Sequence, residues 1–136
     1  MNYELILQND VQQVTRLAPF VDEVCQAAAL DMATTLKLNL AIEEAVVNVI
    51  NYAYPHDTVA DITIQAQLRK HQLQFVIRDS GIPFDPTAQQ EADTTLSVEE
   101  RPIGGLGIHL VRQIMDSVNY RRTGGKNILT LNKKLK

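Results

Sequence analysis

Asp61-Ile62-Thr63-Ile64-Gln65-Ala66-Gln67-Leu68-Arg69-Lys70-His71-Gln72-Leu73-Gln74-Phe75-Val76-Ile77-Arg78-Asp79 alternates apolar and polar side chains on either side of Lys70-His71. A period of two belongs to a strand with one buried face. Ile62, Ile64, Ala66 and Leu68 share such a face, and so do Leu73, Phe75 and Ile77. The stretch therefore predicts two antiparallel strands joined at Lys70-His71. A sheet that is apolar on one face needs a cover, and the flanking sequence supplies helices for it.

Upstream, Asp31 is placed to cap a helix that runs to about Tyr54, where Pro55 stops it. Leu38, Ala41, Ile42, Ala45, Val46, Val49, Tyr52 and Ala53 fall on one broad arc of that helix, with Leu40, Val47 and Ile50 elsewhere. A helix apolar over so much of its surface is largely buried. Before it, Asp10 and Gln13 form a capping box. Val11, Val14, Leu17, Ala18, Val21 and Val24 then predict a first helix over 11–29, with a kink at Pro19. Tyr3 to Leu7 is a short edge strand. Downstream, residues 80–103 hold Gly81, Pro83, Pro86 and Pro102 and little periodicity. A loop of that length in a small domain is usually functional or mobile. Leu106 to Met115 reads as a short helix. Val118–Arg122 and Ile128–Leu135 read as closing strands turned by Gly124-Gly125. The order β-α-α-β-β-loop-α-β-β predicts an α+β fold: a two-layer α/β sandwich, its mostly antiparallel sheet covered by helices on one face.

The chain has 136 residues, 45% hydrophobic and 21% charged, which fits a single domain over 1–136. A net charge of -3 with no basic stripe argues against direct nucleic-acid binding. The start, Met1-Asn-Tyr-Glu-Leu-Ile-Leu7, has no signal-peptide pattern, and no apolar run reaches membrane-spanning length. A cytoplasmic location without membrane contact is expected. The one cysteine, Cys25, excludes an internal disulfide and reads as a helix core position. His56, His71 and His109 show no metal-ligand spacing.

Three features carry chemistry. On the second helix Lys37, Glu44, Asn48 and Asn51 fall within a band of about 60°, while Asn39 and Glu43 lie away from it and face water. The band reads either as a solvent-facing stripe or as the floor of a site. Glu44 and Asn48 are four apart and therefore neighbours. A carboxylate beside a neutral oxygen donor suits Mg²⁺-phosphate chemistry, with Asn as metal ligand and Glu as proton acceptor. Asp79, at a strand end two residues before Gly81, is either a turn signal or a carboxylate that accepts a hydrogen bond from a ligand amino group. In the latter case Gly81 lets the ligand approach the backbone. Gly104-Gly105-Leu106-Gly107 at a helix start exposes backbone N–H groups suited to phosphate. A Walker-type GxxxxGK[ST] and an early GxGxxG are both absent, so P-loop and Rossmann readings fail.

The order and spacing of these parts resemble the GHKL ATPase superfamily, which includes gyrase, mismatch-repair ATPases and histidine kinases. Glu44-Ala45-Val46-Val47-Asn48, Asp79-x-Gly81-x-Pro83-Phe84-Asp85-Pro86 and Arg101-Pro102-Ile103-Gly104-Gly105-Leu106-Gly107-Ile108 resemble most its small branch of anti-sigma factor serine/threonine kinases. Asp116-x-Val118-x-Tyr120 and Asn127-x-Leu129-Thr130-Leu131 extend the likeness. The resemblance implies a Bergerat-type ATP-binding fold, ATP and Mg²⁺ as cofactors, and Glu44 as general base. It implies Asn48 as metal ligand, with Asn51 sharing the work that a histidine does elsewhere at the position of Tyr52. Asp79 and Gly81 would meet adenine. Gly104, Gly105 and Gly107 would form the hinge of a lid over the phosphates, with Leu106 among the ATP-binding residues, and Asn127 stands where the family often has a threonine near adenine. It also implies partners: a STAS-type anti-anti-sigma protein as phosphoacceptor, a sigma factor held in a competing complex, and a homodimer. Two rivals remain at this stage. One is a nucleotide-dependent protein-binding regulatory module with little or no kinase activity; the other is a plain ATPase.

Overall fold

The computed structural model describes residues 1–55, 57–88 and 105–135. Five strands form one antiparallel sheet: β1 (Asn2–Gln8), β2 (Asp61–Arg69), β3 (Gln72–Asp79), β4 (Ser117–Thr123) and β5 (Lys126–Lys134). Their spatial order is β1-β2-β3-β5-β4, so β1 is an edge strand as the sequence indicates. Among the described residues the α-helices are α1 (Leu17–Ala27), α2 (Met32–Tyr52) and α3 (Gly105–Ile114).

The period-two stretch folds as expected. Leu68 pairs with Leu73 and Ile64 with Ile77, so one residue face stays in register across the hairpin. Leu73, Phe75, Ile77, Ile62 and Ile64 are buried and pack with Leu38, Ile42, Val46 and Val49 of α2 in one core. The opposite sheet face carries Glu4, Gln65, Gln74 and Asn132 and is mostly polar, interrupted by Ile6, Val76 and Ile128. At the other hairpin Gly124 and Gly125 have φ of 59° and 74°, a conformation that suits a tight right-twisted turn and that glycine adopts without a Cβ penalty.

One expectation needs correction. The first helix is not continuous over 11–29. A 3₁₀ turn occupies Val11–Arg16 and the α-helix begins at Leu17. Pro19 is the reason: it sits at the third position of α1, in the first turn, where a missing N–H costs no hydrogen bond. Asp10 still caps, but through Gln12 N (2.9 Å) and not in the reciprocal box with Gln13. On α2, Asp31 accepts from Thr34 N at 2.7 Å, the cap that its place in the sequence predicts. Cys25 is fully buried, which matches a packing role.

The end of α1 shows a local cost. Leu30 N–H donates to Cys25 O and Ala29 N–H to Gln26 O, both at 3.1 Å, which closes a Schellman motif. The left-handed residue of that motif is Ala29, at φ 56°, where glycine is the usual occupant. Ala29→Gly is therefore expected to raise stability by about 1 kcal/mol, since a left-handed alanine costs roughly 1–2 kcal/mol. Urea titration of the two proteins checks this; a lower midpoint for the glycine variant would contradict it.

Candidate functional site

The site is built where α2, the end of β3 and the β4–β5 ladder meet. Register places its polar residues. Asp79 is the last residue of β3, and it pairs with Asn127 of β5, which in turn pairs with Arg122 of β4. Side chains on neighbouring strands at one register level lie side by side, so Asp79 comes beside Asn127 and Arg122 of a hairpin far along the chain.

Asp79 is 4% exposed. Its Oδ1 accepts from Gly81 N and from Asn127 Nδ2, both at 2.9 Å. Burial pushes the Asp79 carboxyl above the usual carboxylate range, while the Asn127 amide, the Gly81 N–H and the Arg122 guanidinium pull it back. A buried carboxylate bonded through one oxygen retains acceptor capacity on the other.

Asn127 is 3% exposed and saturated. Its Nδ2 donates to Asp79 Oδ1 and to Ile82 O (2.8 Å). Its Oδ1 accepts from Phe84 N (3.3 Å), Arg122 Nη1 (3.1 Å) and the Tyr120 hydroxyl. Both amide protons are spent on protein, so Asn127 holds Asp79 and the 82–84 backbone rather than offering a free donor to a ligand. This changes the reading of Asn127 as a direct nucleotide contact. Arg122 also donates to Gly81 O at 2.8 Å.

Gly81 is required by protein packing. A Cβ built there would stand 2.2 Å from Ala53 O, and Ile82 N–H donates to the same carbonyl at 2.8 Å. The close approach foreseen for a ligand is thus made by the C-terminal end of α2. Because the obstacle is backbone, Gly81→Ala forces the strand end and the helix apart. It is expected to cost about 1–3 kcal/mol, the range for overpacking. Thermal unfolding followed by circular dichroism reads it, and an unchanged midpoint would refute the packing account.

More contacts tie the segment after Asp79 in place. Ser80 N–H donates to the hydroxyl of buried Tyr54 at 2.8 Å. Tyr52 and Phe84 stack, ring centroids 5.4 Å apart. Asp85 Oδ1 accepts from Thr87 N at 2.8 Å, and Arg112 of α3 donates to Thr87 O. Residues 79–87 thereby connect all three layers of contact: helix end, sheet end and α3. The sequence reading gives no site role to Tyr54, Arg122 or Arg112, and it names Phe84 and Tyr120 only within motifs. Only the stacking pair had a local signal, since Tyr52 is an aromatic residue on the apolar arc of α2.

On α2 the polar band divides. Lys37 is exposed, Glu44 is half-buried and Asn48 is 4% exposed. Asn48 Nδ2 is a buried side-chain atom without a hydrogen-bond partner among the described residues. An orphaned buried amide carries a real desolvation cost, of order 1–3 kcal/mol, and calls for a ligand or water. Asn51 is not brought to this place. It is exposed and lines a separate hollow with Asn9, Asp10, Pro55 and Thr58. The three-residue step from Asn48 turns it about 60° away. Glu43 faces water as expected, but Asn39 is half-buried and donates to Asp22 Oδ1 (2.9 Å) and Thr35 O (3.0 Å).

Gly105, Leu106 and Gly107 are the first residues of α3. Gly104 lies outside the described residues. Ile108 and Val111 are buried in the same core as α2.

Asn48 and Glu44 fit a magnesium ion on chemical grounds. Both offer hard oxygens, the Asn48 carboxamide Oδ1 and the Glu44 carboxylate, while the unpartnered Asn48 Nδ2 is a hydrogen-bond donor suited to a phosphate oxygen. No cluster of three or more His, Cys, Asp or Glu suited to a metal occurs among the described residues. The pair therefore suits a cation that takes its other ligands from phosphate and water.

Residues 7–133 match the histidine kinase-like ATPase domain family. The chain belongs to that family. Among curated relatives, the serine-protein kinase RsbW of Bacillus cereus (strain G9842) is 31% identical over 96 residues, covering 68% of this chain and 59% of that protein. The serine/threonine-protein kinase BtrW of Bordetella bronchiseptica is 30% identical over 94 residues, covering 69% of this chain and 66% of BtrW. The matched part is thus under two thirds of these relatives' length. The crystal structure of the RsbU and RsbW domains of Rv1364c from Mycobacterium tuberculosis superposes with a TM-score of 0.70 at 15% identity. That match spans 99% of this chain and 32% of the other. The Acinetobacter baumannii histidine kinase AdeS gives a TM-score of 0.52 at 13% identity, over 96% of this chain and 68% of AdeS. These two likenesses establish the α+β sandwich as the fold of this histidine kinase-like ATPase domain. Among its described residues no helix is long and apolar enough to cross a membrane.

Proposed function

We propose that this chain is an ATP-dependent serine/threonine kinase that phosphorylates a STAS-type anti-anti-sigma protein and holds a sigma factor in a competing complex. The observation that carries the reading is buried Asn48, one helical turn after Glu44, whose unpartnered Nδ2 is free to donate to a phosphate oxygen. Membership of the ATPase family and curated relatives named as serine-protein kinases support it.

Each residue then has a task. Asp79, fixed by Asn127 and Gly81 N–H, accepts a hydrogen bond from the adenine amino group. Gly81 closes that end of the pocket against α2. Asn48 and Glu44 face the phosphates, with Asn48 as the metal ligand. Gly105, Leu106 and Gly107 supply backbone N–H groups at the start of α3, and Gly104 belongs to the same phosphate-binding run of sequence. Magnesium, when bound, neutralises charge on the phosphates. Glu44 accepts the proton of the attacking serine hydroxyl as its oxygen bonds the γ-phosphorus and the bond to the ADP leaving oxygen breaks. Half-burial suits that work: the carboxylate is reachable by a partner's hydroxyl yet not fully hydrated. Dimer formation belongs to the same proposal, as does a cytoplasmic setting.

Incubation with γ-labelled ATP, Mg²⁺ and a STAS-domain protein tests the reading. Label on a serine of the STAS protein is expected. Tight nucleotide binding with no label transferred would replace the kinase by a nucleotide-dependent binding module.

A further inference from the structure

The N-terminal half of α2 carries an apolar stripe that the fold leaves uncovered. Met32, Leu36 and Leu40 stand at four-residue steps and are 79%, 64% and 41% exposed. Residues so spaced lie along one helix face. Beside the stripe runs a shallow groove of about 470 Å³ between α1 and α2, lined by Asp22, Gln26, Leu30, Met32, Thr35 and Leu36. Scattered single apolar residues need no explanation, but three in line beside an apolar groove mark an interaction surface.

Charge tells what fits there. Between Leu17 and Tyr52 the acids are Asp22, Glu23, Asp31, Glu43 and Glu44, and the one base is Lys37. Asp22, in the groove wall, accepts from Asn39 through Oδ1 and is exposed at the rim. Glu23 and Glu43 are exposed. Glu43 falls within about 20° of the Met32–Leu36 direction on the helix, so it flanks the stripe. An acidic rim repels an anionic lipid surface. It also repels its own copy, since a twofold contact would set these acids against one another.

We propose that this face docks a protein segment: an amphipathic helix with apolar side chains at i and i+4, flanked by lysine or arginine. The apolar side chains seat on Met32, Leu36 and Leu40, and a basic side chain pairs with Asp22 across the groove. The stripe ends one helical turn before Glu44, so a partner held here lies beside the acid of the proposed phosphotransfer. That last point rests on the kinase reading; the docking itself does not, because it is measured without nucleotide.

The probe is a fluorescein-labelled helical peptide with leucine at i and i+4 and lysine at the other positions, beside a twin in which glutamate replaces every lysine. Anisotropy titrations use the full chain. The lysine peptide is expected to bind and the glutamate twin not to bind. Leu36→Glu and Asp22→Asn should each weaken the lysine peptide, Leu36→Glu by roughly tenfold or more. Asp22→Asn keeps an acceptor for Asn39. Leu36 is exposed, so its variant should melt as the parent does; if it melts lower, Met32→Gln is read in its place. Equal affinity of parent and Leu36→Glu overturns the proposal, and so does equal binding of the two peptides. Self-association of the parent that Leu36→Glu abolishes also overturns it, by assigning the face to a second copy.

Discussion

Glu44→Gln is expected to reduce phosphoryl transfer by about 10²–10⁴-fold, the usual contribution of a general base, while nucleotide still binds. The argument is local. Glu44 is half-buried on α2, four residues before Asn48, so its carboxylate and the orphaned amide share one stretch of helix face. Glutamine preserves the shape and the hydrogen-bonding reach but not the basicity. Because Glu44 lies outside the buried apolar core, the variant should fold and melt like the parent. Single-turnover transfer measured beside a nucleotide titration separates the two effects. Loss of binding together with transfer would mean that Glu44 holds the ligand rather than the proton, and a near-parental rate would remove it from the chemistry.

Asp79→Asn should act in the opposite way, on affinity and not on the chemical step. A hydrogen bond to a charged group is worth roughly 1.5–3 kcal/mol, so nucleotide affinity should fall about 10–150-fold. The same change should not destabilise the fold. Burial raises the Asp79 pKa, which means that the folded state disfavours the charged carboxyl relative to the unfolded chain. Stability from this group is therefore greatest below its unfolded pKa of 3.8 and declines as pH rises from there through the raised folded value. At neutral pH the neutral asparagine avoids that cost while still accepting from Asn127 and Gly81. The variant is thus expected to melt at or above the parent temperature near pH 7 and to lose the parent's pH dependence just above 3.8. A variant that melts lower and binds nucleotide equally well would contradict both halves.

The parts of this fold that the sequence reveals are those set by near neighbours. The alternation across residues 61–79, the Asp31 cap and the glycines at 124 and 125 each act within a few residues, and each element lies where they indicate. Pro19 was visible, but not whether it kinks one helix or starts another. That depends on whether the preceding turn stays α-helical, and Val11–Arg16 becomes 3₁₀ instead. On α2, the helical wheel grouped Asn51 with Asn48, yet a 60° difference is enough to put one in water and the other in the interior once the sheet covers only part of the helix.

Around Asp79 the limits are of another kind. Asp79, Asn127, Arg122 and Tyr120 form one hydrogen-bonded group only because β3, β5 and β4 are neighbours at a particular register. Nothing local to Asn127 announces that its amide is already committed. Gly81 shows the same dependence on distant chain. Its sequence context allows a turn or a ligand, and the actual requirement comes from the Ala53 carbonyl, 28 positions earlier in the numbering (81 − 53).

A crystal structure of the chain with a non-hydrolysable ATP analogue and Mg²⁺ tests the central claim most directly. The account predicts the adenine amino group on Asp79, the metal on Asn48 and the terminal phosphate beside Glu44. A nucleotide seated away from the α2 face, with Asn48 Oδ1 far from the metal, would contradict it.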